Sequence, residues 1–229
     1  MCDKYRTCAT SINWSEPRAL RHTPAQPPDE KARGRRRPKI VDALARRDHV
    51  RIPIDGRVPL HMSTLADVFR EFNELKATGL VRNYAIGGAT AALFYAEPAR
   101  TYDIDVFVLL GPDAQRPLVS LEPFYQWART RGFGVDAEHI LVHGVPVQFL
   151  PAHNTLVEAA VNTARTLDYD DVSVRVIDPE HLVALALQAG GHKRRERAWQ
   201  LLEAGVVNRE ALRALLAAHG MTMVTDDET

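Results

Sequence analysis

A glycine pair followed closely by two alternating carboxylates constrains this chain more than any other feature. Tyr84-Ala85-Ile86-Gly87-Gly88-Ala89-Thr90 precedes Arg100-Thr101-Tyr102-Asp103-Ile104-Asp105-Val106-Phe107-Val108. Residues 81 to 86 are short and mostly apolar, which suits a strand. The glycines let the backbone turn sharply and approach a ligand where a Cβ would block it. The Ala- and Leu-rich stretch 89 to 96 predicts a helix starting at that turn. Its free N–H groups and positive dipole end would face whatever lies above, a place suited to phosphate oxygens. Asp103 and Asp105 stand two apart in a β-prone run ending Val106-Phe107-Val108-Leu109-Leu110. Both carboxylates therefore leave one face of a strand while Ile104 points into the core. Two carboxylates with no evident cation between them repel; a divalent ion holding nucleotide phosphates relieves this, and magnesium is the expected ion.

Taken alone, Gly-Gly is an ordinary turn and Asp-x-Asp an ordinary solvated strand edge. In this order they resemble the hydrophobic-Gly-Gly/Ser and Asp-x-Asp signature of the nucleotidyltransferase (DNA polymerase β-like) superfamily. Arg100-Thr101 before the carboxylates is similar to the small bacterial branch that includes abortive-infection and toxin-antitoxin-type members. The likeness covers roughly residues 62 to 204. It implies an α+β fold, with a mixed β-sheet flanked by helices and a C-terminal helical layer. It also implies a nucleoside triphosphate, ATP foremost, magnesium, and transfer of a nucleotidyl group to a hydroxyl. Gly87 and Gly88 would cradle the β and γ phosphates, Asp103 and Asp105 would hold the magnesium ion and carry the chemistry, and Thr90 and Arg100 either touch phosphates or stabilise the turn. The acceptor is a protein side chain, a tRNA end or a small molecule; the sequence does not choose.

The chain departs from that pattern in three places. Members commonly carry a third carboxylate on a later strand, and the matching segment Gly144-Val145-Pro146-Val147-Gln148-Phe149-Leu150-Pro151 has Gln148 there. Its loss would weaken activation of the attacking hydroxyl more than nucleotide binding, with Glu138, Asp136 or a substrate group as substitutes. In the later helix, relatives have a Lys and then a Lys-Asp pair. Here Ala186 and His192-Lys193-Arg194 stand instead, and only Lys193 matches. Lys193, Arg194, Arg195 and Arg197 form a basic turn that either holds the triphosphate or an acidic partner, or is a solvated helix start. The gap between Gly88 and Asp103 is also slightly longer than in compact members. A second reading follows, in which a catalytically degenerate fold binds nucleotide or a cognate partner protein, for example in a toxin-antitoxin pair.

Net charge is zero, yet residues 1 to 61 hold 14 Lys and Arg against 7 Asp and Glu, while the remainder holds 15 against 22. Residues 1 to 61 read as a basic, Pro- and Arg-rich, flexible leader, with Pro24, Pro27 and Pro28 discouraging regular structure. Met62 is an alternative initiator. Arg33 to Lys39 is either a phosphate-backbone contact or a solvated tail. A short helix over 39 to 47 and a strand over 49 to 54 are expected. With 45% hydrophobic residues the chain can bury one sizeable core. We divide it into the leader, a core over 62 to 177, and a helical segment over 178 to 229. Cys2 and Cys8 lack metal-ligand company, and no apolar run approaches a membrane span, so a cytoplasmic protein with no membrane partner is expected.

Ser63 would cap a helix through Lys76 with Leu65, Val68, Phe69, Phe72 and Leu75 at helical spacing, stopped by Gly79. Gly111-Pro112 is a turn, and a helix follows from about 120 to 131. A hairpin of 138 to 143 and 145 to 150 is expected, and in the sheet that the resemblance implies it would bring Gln148 beside the Asp103/Asp105 strand. Helix is expected over 154 to 165 and strand over 172 to 177. Asp178-Pro179-Glu180 begins the C-terminal helices, packed by Leu182, Leu185, Leu187, Leu201, Leu202, Leu212, Leu215 and Leu216. The acidic end Asp226-Asp227-Glu228 should fray. His139 and His143 are four apart and would share a strand face, an ordinary arrangement rather than a zinc site.

Overall fold

The computed structural model describes residues 65–96, 101–111 and 120–221. The leader, with its expected helix and strand, Ser63, Met62, Arg100, Pro112 and the acidic end lie outside the described residues.

Two apolar periodicities build the centre. Helix α1, Leu65–Ala77, buries Val68, Phe69, Phe72 and Leu75 at helical spacing, and the chain leaves it through Gly79 at φ 77°. Strand β1, Val81–Ile86, leads into the short helix α2, Gly88–Ala92. Beyond Ala92 the expected helix tightens, with Phe94 and Tyr95 donating three residues back to Ala91 and Ala92. Strand β2, Ile104–Leu110, buries Ile104, Val106 and Val108 completely.

Helix α3, Glu122–Arg131, ends at Gly132 in the left-handed conformation. Strands β3, Gly134–Asp136, β4, His139–Val142, and β5, Val145–Pro151, follow. Helix α4, Thr155–Thr163, is capped by the Asn154 side chain. It ends earlier than the sequence suggested. Residues Arg165–Tyr169 form strand β6, which pairs with β7, Val172–Val176, through a turn at Asp170 with φ 50°. Strand β6 is mostly exposed, so its apolar pattern is faint and its pairing partner decides its state. Three helices close the described chain: α5, Pro179–Ala189, α6, His192–Glu203, and α7, Arg209–Ala218.

The seven strands form one mixed sheet in the order β3-β4-β5-β2-β1-β7-β6. Strand β2 pairs antiparallel with β1 and parallel with β5, giving the α+β architecture expected from the sequence. On one face Phe149 stacks with Phe124 at 4.7 Å and meets Phe72 edge-on at 6.2 Å, joining the sheet to α1 and α3 through directional aromatic contacts. The other face is covered by α2, α4 and α5, with α6 and α7 packed on α5. Side chains alternate along β2, so that face receives Asp105 and Phe107.

Leu182, Leu187, Leu201, Leu202, Leu212 and Leu216 are buried, as their spacing predicts. No helix among the described residues is long and apolar enough to cross a membrane.

Candidate active site

The turn between β1 and α2 is pressed against β2. Gly87 donates its N–H to the Asp105 carbonyl at 2.9 Å, extending the strand ladder by one step. Gly88 follows at φ 59°, the left-handed region that favours glycine. A Cβ at Gly88 would overlap the Asp105 carboxylate, and one at Gly87 would overlap the Phe107 ring. Both glycines are therefore fixed by β2 behind them as much as by any ligand in front.

Asp103 is held by its backbone. The buried Thr90 hydroxyl donates to the Asp103 carbonyl at 2.9 Å, and the buried Thr101 hydroxyl donates to the same carbonyl at 3.0 Å and reaches the Asp103 carboxylate at 3.2 Å. Thr90, which the sequence left either at a phosphate or stabilising the turn, donates its hydroxyl to the carboxylate strand. His139 Nε2 lies 3.6 Å from Asp103 Oδ2, too long for a direct hydrogen bond. Burial pushes the Asp105 carboxyl up, the neighbouring Asp103 charge adds to this, and Arg197, Arg194 and His139 oppose it.

Asp105 and Gln148 occupy facing positions on the parallel strands β2 and β5, which puts Gln148 beside the carboxylate strand as the hairpin reading anticipated. They line one cavity of about 330 Å³ together with Gly88, Phe107 and Leu150 on the sheet side. The opposite wall comes from α5, through Leu182, Leu185, Ala186 and Ala189, and from α6, through Arg194 and Arg197. Gly190 and Gly191, at φ 67° and 84°, turn the chain between those two helices and bring α6 back over the opening.

Lys193, the one residue matching the resemblance in this helix, is exposed and does not line the cavity. Arg194 and Arg197 do, because positions three apart share a helix face. Arg197 is half-buried with its Nε lacking a hydrogen-bond partner. Burial pulls its pKa down, Arg194 adds to this, and Asp105 and Asp103 oppose it.

Neither Asp136 nor Glu138 supplies the missing carboxylate. Both are exposed and neither lines the cavity. His139 and His143 do not share a partner or a face. His139 approaches Asp103, while His143, in a left-handed turn at φ 50°, lies 3.4 Å from Glu71 of α1 on the other side of the sheet. Leu185, expected only as core packing, is a cavity wall.

No family model matches the chain, and no curated protein does. The chain is similar to two solved structures. One is an antigenic nucleotidyltransferase-like protein from Paracoccidioides brasiliensis, at 15% identity and a TM-score of 0.44, covering 68% of this chain and 85% of that one. The other is the solution structure of the antibiotic-resistance factor ANT(2'')-Ia, at 13% identity and a TM-score of 0.42, covering 69% of this chain and 92% of that one.

Proposed function

We propose that this chain is a nucleotidyltransferase that moves a nucleoside monophosphate from a nucleoside triphosphate, ATP foremost, to a hydroxyl acceptor with magnesium. One observation carries the reading: the Gly88 turn, the Asp105 carboxylate and the Arg194/Arg197 pair line a single cavity. A glycine turn, an anion and two fixed cations around one space suit a metal-bound polyphosphate better than a neutral ligand.

The donor set suits magnesium. Among the described residues no group of three or more His, Cys, Asp or Glu is arranged to hold a metal ion, which argues against an all-protein cage. Magnesium is commonly held by one or two carboxylates with substrate phosphates completing its shell. Asp103 and Asp105 would hold it, and when bound it would supply positive charge to offset the charge that develops on the phosphates.

The residues of the chain would do the rest by positioning. Arg194 and Arg197 bind phosphate oxygens from the α6 wall, and Phe107, Leu150, Leu182 and Leu185 exclude water from the apolar half of the cavity. The acceptor oxygen forms a bond to the α-phosphorus as the bond from that phosphorus to the bridging oxygen breaks. Pyrophosphate leaves with that electron pair. Gln148 can hydrogen-bond the acceptor hydroxyl but cannot take its proton, which passes to solvent.

Gln148 opposite Asp105 also favours a second reading, a protein that binds nucleotide without turning it over, as one partner of a toxin-antitoxin pair. Isothermal titration of ATP, GTP, CTP and UTP, with and without magnesium, tests both on the chain and on Asp103→Asn. Magnesium-dependent binding lost in the variant, with label transfer to an acceptor, supports the enzyme. Binding without transfer to protein, tRNA or small-molecule hydroxyls supports the second reading, and no binding at all sinks the enzyme and leaves only recognition of a partner protein.

A further inference from the structure

The two walls of the cavity differ in the charge they can offer a second cation. Asp105 and Gln148 face each other across parallel strands, so both side chains leave the sheet on the cavity face. A second divalent ion about 3.5–4 Å from the first would need anionic oxygens between and around the pair. Gln148, facing Asp105 on the neighbouring strand, supplies only a neutral carbonyl oxygen. The exposed Asp136 and Glu138 do not make up the deficit.

The α6 wall faces this deficit with fixed positive charge. Arg194 and Arg197 lie three apart and both line the cavity with Asp105 and Gln148. Arg197 and Arg194 share the cavity with Asp105 and favour its charged form. The Arg197 Nε is buried without a hydrogen-bond partner, leaving a donor for an incoming anion. A guanidinium keeps its charge, is weakly hydrated, and presents a planar fork that matches phosphate oxygens.

We propose that the site takes a single divalent cation with its nucleotide, that Gln148 limits it to one, and that the Arg197 guanidinium binds the nucleotide phosphates where a second cation would otherwise stand. This rests on the nucleotidyltransferase reading of the cavity. It assigns Arg197 a binding role that the family resemblance gives to Lys193.

Manganese is the probe, counted by electron paramagnetic resonance on the full chain with α,β-methylene-ATP. The expected count is one bound ion per nucleotide in the unaltered chain and two in Gln148→Asp. Arg197→Gln should keep the count at one and weaken nucleotide binding about 10-fold or more, as expected for loss of a charged hydrogen-bond partner. Two spin-coupled ions in the unaltered chain, one ion in a folded Gln148→Asp, or unchanged nucleotide affinity in a folded Arg197→Gln would each overturn the proposal. Thermal melts establish folding of the variants, and the count on the unaltered chain is decisive without them. Absence of any nucleotide-dependent manganese in the unaltered chain would overturn the nucleotidyltransferase reading itself, a result distinct from a count of two.

Discussion

The sheet wall and the helical wall of the cavity are built in different ways. On the sheet side the glycine turn and the two carboxylate positions of β2 are held by their neighbours. Gly88 lies against the Asp105 carboxylate, Gly87 bonds the Asp105 carbonyl, and Thr90 and Thr101 hold Asp103. On the helical wall Arg194 and Arg197 reach in from α6, whose first residues, His192 to Glu196, are exposed. The first wall is a rigid template and the second a set of long cations that adapt to what the template holds. Strand registry places short carboxylates, whereas long flexible side chains deliver charge from a helix whose backbone lies further off.

The comparison breaks most sharply at the carboxylates. Asp103→Asn or Asp105→Asn should reduce transfer below detection while the fold persists, measured by label transfer alongside a thermal melt; turnover in either variant would remove the sheet wall from the chemistry. On the helical wall, Arg194→Ala should weaken nucleotide binding about 10- to 100-fold, the worth of hydrogen bonds to a charged group. Lys193→Ala should change binding by less than about twofold, as for an exposed side chain off the cavity. Titration calorimetry on both variants decides, and a reversed order would return the site to Lys193.

Gly88→Ala tests the rigidity of the template. The left-handed backbone costs about 1–2 kcal/mol with a Cβ, and overlap with the Asp105 carboxylate adds to that. A fall in melting temperature of about 4 °C or more is expected, since about 1 kcal/mol corresponds to about 2–4 °C in domains of 150–250 residues. An unshifted melt would mean that the turn has room to spare.

The smallest effects lie away from both walls. Burial by itself pushes the Asp178 carboxyl up. The His181 side chain at 2.8 Å, the His181 N–H and the Thr163 hydroxyl outweigh it, leaving the carboxyl below its ordinary value of 3.8. A carboxyl lowered in the folded state contributes stability that is present above its unfolded pKa and lost as pH falls through the folded one. Asp178→Asn should therefore flatten the loss of stability below about pH 4, read from denaturant melts at several pH values. Tyr84→Phe removes the 2.6 Å bond to Asn73 on the opposite face of the sheet. It should cost about 1 kcal/mol and leave nucleotide binding unchanged; altered binding would show that the two faces are coupled.

The sheet wall was legible because its signals are local. Alternation places Asp103 and Asp105 on one face whatever surrounds them, and Gly87-Gly88 marks a turn that no side chain could occupy. The hairpin was legible enough to place Gln148 beside the Asp103/Asp105 strand, and the structure set it opposite Asp105. Strand β6 was not, because Arg165, Thr166 and Asp168 are exposed and only pairing with β7 holds them extended. Lys193 could not be told from Arg194 and Arg197 by type, and the helix phase that separates them depends on how the Gly190-Gly191 turn sets α6 over the sheet.

By itself, the sequence determined which residues can carry the chemistry, for the period of a strand and the steric freedom of glycine are properties of a few consecutive residues. It also determined that a neutral amide stands where a third carboxylate would. The tertiary structure alone decided which cations line the cavity with Asp105 and that the Thr90 hydroxyl donates to the Asp103 carbonyl. The cations are far from Asp105 in the chain and are brought within electrostatic reach by α6 packed on α5, whereas Thr90 reaches Asp103 across thirteen positions through the contact of α2 with β2.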